Sequence, residues 1–398
     1  YPLRRQRQMC IRDRNRCLPR DEIAQRVAWA LEGVGALHLV DRSLASLSGG
    51  EKQKIAIAAM MAARPQVLIF DEPTSNLDPT TTAAIFGVIE RIRATANITV
   101  LVIEHKLDYL RPFSPRLVML ERGRVVYDGP LEAQARRDAV VAQFHRPVAR
   151  EAASSPVVEV DDLHVGYNGR PVLKGLSLVI GAGEFVAVMG DNGSGKTTFL
   201  QSVFGFLKPE QGSVTVLGQD TRDVSISHRA RQVGFVFQNP DHQLFADSVW
   251  DEAIFAPRNF GLLDAASRVQ AEALLEHAGF RGRWEDHPYR LSYGEKRRLN
   301  LISVLSYVPA LILLDEVLIG QDAENAAFLM ELVRGRAAEG AAVVMVNHNP
   351  AVTQKYASRL LFFDAGRLVV DAPPGEGFRQ LAGMGRNVYV PGNGRGRA

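Results

Sequence analysis

The sequence predicts an α/β fold built twice along one chain, with the first copy incomplete. Two observations carry this. Short apolar strands run straight into polar, chemically loaded loops: EFVAVM at 184–189 enters GDNGSGKTT at 190–198, VLIF ends in Asp71-Glu72, and LILL ends in Asp315-Glu316. That strand-then-loop pattern is the signature of a mainly parallel sheet. The second observation is a repeat. LSGGE at 47–51 returns as LSYGE at 291–295, Asp71-Glu72 as Asp315-Glu316, and Asp78 as Asp322, each 244 residues on (315 minus 71), while His105 and His348 lie 243 apart. One offset shared by three features, with a fourth displaced by a one-residue slip in a loop, is the mark of a duplicated domain.

Along the chain, each element follows from that duplication. Asn15 pairs with Asn259 and Leu18 with Leu262, but 1–14 (YPLRRQRQMCIRDR) bears no likeness to 245–258 (FADSVWDEAIFAPR). Residues 1–14 are therefore expected to be a non-native or disordered end, outside the fold. Residues 15–135 form the first, incomplete copy. Residues 136–156, with charges, alanines and a Ser-Ser-Pro break, suit a linker. The complete second copy spans 157–380, and 381–398, ending in the Gly/Arg-rich PGNGRGRA, is expected to be a disordered tail.

Composition narrows the class. At 398 residues and 46% apolar, the chain can bury two cores. Its apolar runs, such as 341–346, fall far short of the roughly 20 residues that span a bilayer, so any membrane link runs through a partner. Five arginines against Asp13 give 1–14 a charge of +4; with +3 overall, the remainder is near −1, which does not support nucleic-acid binding. Cys10 and Cys17 form no zinc or disulfide pattern, in keeping with a reducing compartment.

The second copy holds the phosphate chemistry. GDNGSGKTT fits GxxxxGK[ST] in its required setting of strand, loop and helix. Gly190, Gly193 and Gly195 free the backbone so that consecutive amides, with those of Asn192 and Ser194, can face phosphate. Lys196 adds a positive charge at the β- and γ-phosphates, Thr197 offers a hydroxyl to Mg²⁺, and Thr198 sits in the first turn of a helix whose positive end faces the same anion. Asp315 and Glu316 close a buried strand, a costly place for two carboxylates unless a cation or proton is near. Asp315 suits Mg²⁺ and Glu316 a general base for an attacking water. His348, just past AAVVMV, would sit at a neighbouring strand end and hold the γ-phosphate and water in line.

Both copies resemble nucleotide-binding domains of the ATP-binding cassette (ABC) family, over nearly all of 15–370. LSGGE and LSYGE resemble its signature, VLIFDEP and LILLDEV its Walker B strands, Gln238 its Q-loop glutamine, and His105 and His348 its switch histidines. Tyr167 in VGYNGRPVL resembles the aromatic that stacks on adenine. The resemblance implies tandem P-loop NTPase domains, the first lacking its P-loop and Q-loop, each with a mainly parallel sheet and a helical subdomain, the second also with an antiparallel β subdomain. It further implies head-to-tail pairing of the two copies. Ser48, Gly49 and Gly50, at the start of a helix expected over 52–63, would then close an ATP held by the second copy, with Gln238 a further Mg²⁺ ligand. A reciprocal, degenerate site would draw on Asp71, Glu72, His105, Ser292 and Gly294. Tyr293 replaces a signature glycine there and either crowds the phosphate approach or stacks elsewhere, and VLIGQD departs from PTSNLD.

VFQNPDHQLF at 236–245 resembles the ATPases of energy-coupling factor importers, which take up vitamins or transition-metal ions. The resemblance implies an ATPase powering such an importer, with a transmembrane T component and a substrate-binding membrane component as partners, and peripheral attachment at the cytoplasmic face of the membrane. The alternatives are the ATPase of another ABC importer, or a soluble tandem ABC protein acting on ribosomes or DNA, against which the short linker argues.

Overall fold

The computed structural model describes residues 18–75, 77–96, 98–104, 107–113, 115–121, 123–131 and 155–392. The chain divides into two compact units, Tyr1–Phe144 with Gly394–Ala398, and His145–Asn393. No helix among the described residues is long and apolar enough to cross a membrane. The expected end at 1–14, His105 and nearly all of the expected linker lie outside the described residues.

The first unit contains helices α1 (Arg20–Gly33) and α2 (Gly49–Met61), strand β1 (Val67–Asp71), helix α3 (Pro79–Ala96), strand β2 (Thr99–Ile103) and a hairpin of β3 (Arg116–Glu121) and β4 (Arg124–Pro130). β1 and β2 pair in parallel, from Val67↔Thr99 to Asp71↔Ile103. Leu68 and Phe70 point into a core with Ile57, Ala58 and Met61 of α2 and Ile85, Phe86 and Ile89 of α3. Because a strand alternates faces at every residue, Val67 and Ile69 point the other way, and Ile69 is 60% exposed, as Leu101 on β2 is 52% exposed. A parallel sheet is ordinarily covered on both faces; among the described residues this pair is covered on one.

Helix α2 starts three residues earlier than the sequence suggested, at Gly49 rather than Lys52, and ends at Met61 rather than Ala63. The reason is a capping box. The Glu51 amide donates to Ser48 Oγ at 3.3 Å, and the Ser48 amide donates back to Glu51 Oε2 at 2.8 Å. These reciprocal bonds satisfy amides that the first turn leaves open, so both glycines can turn helical.

The second unit opens with an antiparallel sheet ordered β6-β5-β8-β9, made of β5 (Pro156–Tyr167), β6 (Arg170–Gly181), β8 (Gln211–Val216) and β9 (Gln219–Asp220). β7 (Phe185–Gly190) and helix α4 (Lys196–Phe204) fall between β6 and β8 in the chain, and a short α5 (Ile226–Arg229) follows β9. Next come β10 (Val233–Val236), helices α6 (Val249–Asn259), α7 (Ala265–His277) and α8 (Tyr293–Leu305), and β11 (Leu311–Asp315). The unit ends with α9 (Ala323–Ala338), β12 (Ala342–Val346), α10 (Pro350–Tyr356), β13 (Arg359–Asp364), β14 (Arg367–Ala372) and α11 (Pro374–Gly383).

Six strands form the central sheet, ordered β10-β11-β12-β7-β13-β14 and parallel except for the antiparallel edge strand β14. Every residue of β7, β11 and β12 is buried, so the continuous apolar runs in the sequence are strands covered on both sides. One face, with Val186, Val188, Leu313 and Val344, meets the antiparallel sheet and Phe199, Leu200 and Val203 of α4. The other, with Ala187, Leu314 and Met345, meets Leu301 and Leu305 of α8 and Leu329 and Val333 of α9. Packing on both sides fixes β7 and β11, and so fixes the loops that leave their C-terminal ends.

The sequence offset recurs in the elements. β11 and α8 start 244 residues after β1 and α2, and β12 and β13 start 243 after β2 and β3. Arg64 and Val308, and again Glu72 and Glu316, are non-glycine residues with positive φ at the same 244 spacing.

The expected tail at 381–398 requires correction. α11 runs through Gly383, a 3₁₀ turn follows at Asn387–Tyr389, and Tyr389 is wholly buried in a cluster with Met189, Phe362, Phe378 and Leu381. The low-complexity composition begins only after this anchor. β5 likewise begins at Pro156, inside the expected linker.

Candidate functional site

The 190–198 loop leaves β7 at the centre of the sheet. Gly190 has φ +144°, and a Cβ there would stand 2.2 Å from the Phe363 carbonyl oxygen on neighbouring β13. Gly195, with φ +104°, would place a Cβ 2.7 Å from Leu173 Cδ2. Only glycine fits either place. Gly193, also at positive φ, has open space around it. Between these, the Ser194 amide donates to the Asp191 carbonyl at 3.1 Å and tightens the turn. Asn192 is exposed in the same turn, while Ser194 is buried. Lys196 starts α4 and is buried; its Nζ donates to the carbonyls of Gly190 at 2.9 Å and Asp191 at 2.8 Å. The ammonium is thus fixed over the mouth of the loop, and the amide end of α4 faces the same point.

Thr197 and Asp315 come together: the Thr197 hydroxyl donates to Asp315 Oδ1 at 3.2 Å. Thr198 is buried in the first turn of α4. Asp315 is buried at the end of β11. Burial, then the charge of Glu316, push its carboxyl up to about 6, against the pull of the Thr197 hydroxyl, Lys196 and Arg297. Glu316 follows in a left-handed backbone conformation, φ +50°. That kink turns its side chain aside from that of Asp315 and into a clamp: Gln238 Nε2 donates to Oε2 at 3.0 Å, and His348 Nε2 lies 2.8 Å from Oε1. Glu316 and His348 are both nearly buried. With Nε2–H donating, the imidazole is held in one tautomer on the carboxylate.

Of the sequence-expected residues, the second unit brings together the 190–198 loop, Asp315, Glu316, Gln238 and His348. Gln238 bonds to Glu316 rather than to Thr197 or Asp315. Tyr167, at the end of β5, is 43% exposed, and its hydroxyl donates to Gln201 Oε1 on α4 at 3.0 Å, so the ring stands beside the loop's helix.

In the first unit, Asp71 ends β1 and Glu72 has φ +43°. Ser48, Gly49 and Gly50 open α2, as Ser292 and Gly294 open α8, where Ser292 makes the same capping box with Glu295. The Tyr293 ring lies 5.7 Å from the Arg297 guanidinium, one turn along its own helix, and its edge stands beside Gly320 in the turn that follows β11. VLIGQD keeps one function of PTSNLD, since Asp322 caps α9 (Asn325 amide to Oδ1, 2.7 Å) as Asp78 accepts from the Thr81 amide at 2.7 Å.

Sequence reasoning missed Arg297. It is wholly buried in α8, donates to the Phe237 carbonyl at 2.6 Å and to the Gln238 carbonyl, and bonds the Tyr293 hydroxyl at 3.2 Å. A buried cation costs several kcal/mol unless its donors are used. Here Nη1 and Nη2 hold the backbone that carries Gln238, while Nε makes no hydrogen bond among the described residues. A signal existed: Arg297 stands where the repeat offset places Gln53 in the first copy.

A buried lysine over a glycine loop, a hydroxyl–carboxylate pair at the helix start, and a clamped second carboxylate define a phosphoanhydride-hydrolysing P-loop site. The family profile for ABC transporters matches residues 3–75 and 173–318, and the chain belongs to this family. Among its relatives is a Methanosarcina mazei protein described as an ABC transporter ATP-binding protein, 34% identical over 414 residues that cover 90% of this chain and 70% of the relative. A Bacillus subtilis protein described as the HMP/thiamine import ATP-binding protein YkoD is 29% identical, over 92% of this chain and 73% of its own length. Among solved structures, cbiO1 of Clostridium perfringens, part of the ABC transporter complex cbiONQ, is 28% identical with a TM-score of 0.53, over 61% of this chain and 98% of its own. The chain is an ABC ATPase that hydrolyses ATP for transport.

Proposed function

We propose that this chain is the ATP-hydrolysing subunit of an energy-coupling factor type importer. In this reading it carries two copies of one nucleotide-binding domain, 15–135 and 157 onward, and one ATP lies on the 190–198 loop. The observation that carries the reading is Glu316, a carboxylate clamped by Gln238 and His348 one residue beyond Asp315. Lys196 and the loop amides bind the β- and γ-phosphates, and Tyr167 offers a face to the base. Glu316 accepts a proton as water attacks the γ-phosphorus and the bond to the β-phosphate oxygen breaks, while His348 keeps carboxylate and water aligned.

The residues fit a Mg²⁺ ion: a hydroxyl and a carboxylate 3.2 Å apart, the carboxylate buried where a charge is tolerable only beside a cation. Thr197 and Asp315 would hold it, with Gln238 within the same cluster. The bound ion supplies charge neutralisation for the phosphates.

Ser48, Gly49 and Gly50 of the first copy complete the enclosure in this proposal, through head-to-tail pairing, and Asp71, Glu72, His105, Ser292 and Gly294 belong to the reciprocal site. The importer assignment is supported by the HMP/thiamine name of one relative, the cbiONQ membership of another, and VFQNPDHQLF at 236–245. Its partners are a transmembrane T component and a substrate-binding membrane component, which tether the chain at the cytoplasmic face.

Three variants test this. Lys196→Ala abolishes nucleotide binding and turnover. Glu316→Gln keeps binding and lowers turnover by about 10²- to 10⁴-fold. Ser48→Arg blocks turnover while leaving binding to the loop. Full ATPase activity in Glu316→Gln would remove Glu316 from the mechanism, and full activity in Ser48→Arg would remove the first copy from the site. Failure to co-purify with a T-type membrane protein encoded beside it would remove the importer assignment.

A further inference from the structure

The segment expected to be a tail reaches back to the phosphate loop. Tyr389 Oη donates to Asp191 Oδ1 at 2.5 Å, and Arg386 Nη1 donates to Asp191 Oδ2 at 2.7 Å. The other arm of the guanidinium, Nη2, holds Asp364 Oδ2 at 2.6 Å, at the end of β13. Asp191 is the second residue of GDNGSGKTT, and its own carbonyl holds the Lys196 ammonium at 2.8 Å. The same residue is therefore gripped by its side chain from the C-terminal segment and grips the phosphate-binding lysine with its main chain. The grip has a firm base: Tyr389 is wholly buried and meets Phe362 edge-on at 4.8 Å, within the cluster that includes Phe378 and Leu381 of α11.

A carboxylate in a loop that binds a polyanion is an electrostatic liability. Left unpaired, Asp191 would repel the phosphates at close range. Arg386 cancels that charge with one arm of a planar fork and uses the second arm to register the loop against β13.

We propose that Arg386 and Tyr389 are positioning residues for nucleotide binding, a C-terminal latch that neutralises Asp191 and fixes the carbonyl that aims Lys196. The inference rests on reading the 190–198 loop as the ATP site. It touches neither the general base nor the water, so it predicts an effect on affinity with little effect on the chemical step.

The test is binding of a fluorescent N-methylanthraniloyl ATP to the full chain in Mg²⁺, with steady-state ATPase and a thermal midpoint for each variant. Arg386→Ala is expected to weaken binding and raise KM about tenfold, the effect of about 1.4 kcal/mol, with kcat changed less than about twofold. The defect shrinks at high salt, because the unpaired carboxylate is screened. Tyr389→Phe gives a smaller loss. Adding Asp191→Asn to Arg386→Ala restores most of the affinity, since no charge is left to neutralise. A merely structural role for Arg386 would lower the thermal midpoint and would not be rescued by Asp191→Asn. Unchanged affinity in folded Arg386→Ala, or a loss undiminished in the double variant, overturns the latch. If Arg386→Ala does not fold, Arg386→Gln takes its place with the same comparisons. If the unmodified chain does not bind the analogue, the ATP reading of the loop falls first and takes the latch with it.

Discussion

Asp315→Asn should make the apo protein more stable while disabling it. The carboxyl of Asp315 ionises near 3.8 in an unfolded chain and at about 6 in the folded one, because it is buried and because Glu316 adds a like charge beside it. The folded state therefore binds more protons than the unfolded state between about pH 4 and pH 6, and its stability falls as pH rises through that interval, then levels off. A gap of about 2 in pKa corresponds to about 3 kcal/mol at neutral pH. Asparagine has the same shape, keeps an oxygen for the Thr197 hydroxyl that now bonds at 3.2 Å, and carries no charge. Urea unfolding followed by circular dichroism, in EDTA without nucleotide, should show the variant equal to the unmodified chain at pH 4. By pH 7.5 it should be ahead by about 2–3 kcal/mol. ATP turnover is lost in the same variant, the usual exchange of activity for stability at a costly functional group. A stability difference that does not change with pH, or a variant less stable at pH 7.5, would refute the claim that burial of this carboxylate is what the fold tolerates for its site.

Gly190→Ala should cost roughly 3 kcal/mol, since the added carbon meets the Phe363 carbonyl at 2.2 Å in a conformation alanine avoids, and thermal unfolding would report it. Arg297→Met is expected to change stability little, because relief from burying a cation offsets two orphaned carbonyls at about 1–3 kcal/mol each, yet to lower kcat by releasing the backbone of Gln238. A kcat that follows only the thermal midpoint would show that Arg297 merely supports the fold. Leu313→Ala should cost about 2–5 kcal/mol, whereas Ile69→Ala, at the same place in the first copy, should cost under about 1 kcal/mol because Ile69 is 60% exposed. Equal losses at the two positions would mean that the exposed face of β1 is covered in solution.

Local chemistry made much of the site legible. GDNGSGKTT needs its glycines for backbone reasons that hold in any protein, and Gly190 and Gly195 prove to be places where a Cβ would collide. LILLDE announced a buried strand with two carboxylates at its end, and those carboxylates turn to different partners, Asp315 to Thr197 and Glu316 to Gln238 and His348. What escaped were residues whose importance comes only from long-range contact. Arg297 lies 59 residues from Gln238, and Tyr389 lies 198 from Asp191. Neither sits in a motif. Composition actively misled at 381–392, where Gly383, Gly385, Gly392 and Arg386 mask a buried tyrosine.

The repeat shows where such reading ends. VLIFDE and LILLDE are equivalent by pattern, occupy strands at the same offset, and are followed by helices capped by Asp78 and Asp322. Their surroundings differ. In β11 every residue is buried, while β1 alternates exposed and buried along its length. Leu313 packs with Phe199, Leu200 and Val203 of α4, the helix that leaves the phosphate loop, and Ile69 at the corresponding position is open to solvent. A sequence states which faces are apolar; whether they are covered depends on which other elements are present to pack on them. The same covering layer that buries β11 also delivers Lys196 and Thr197 to Asp315, so in this architecture the burial of one sheet face and the assembly of the phosphate site are a single event.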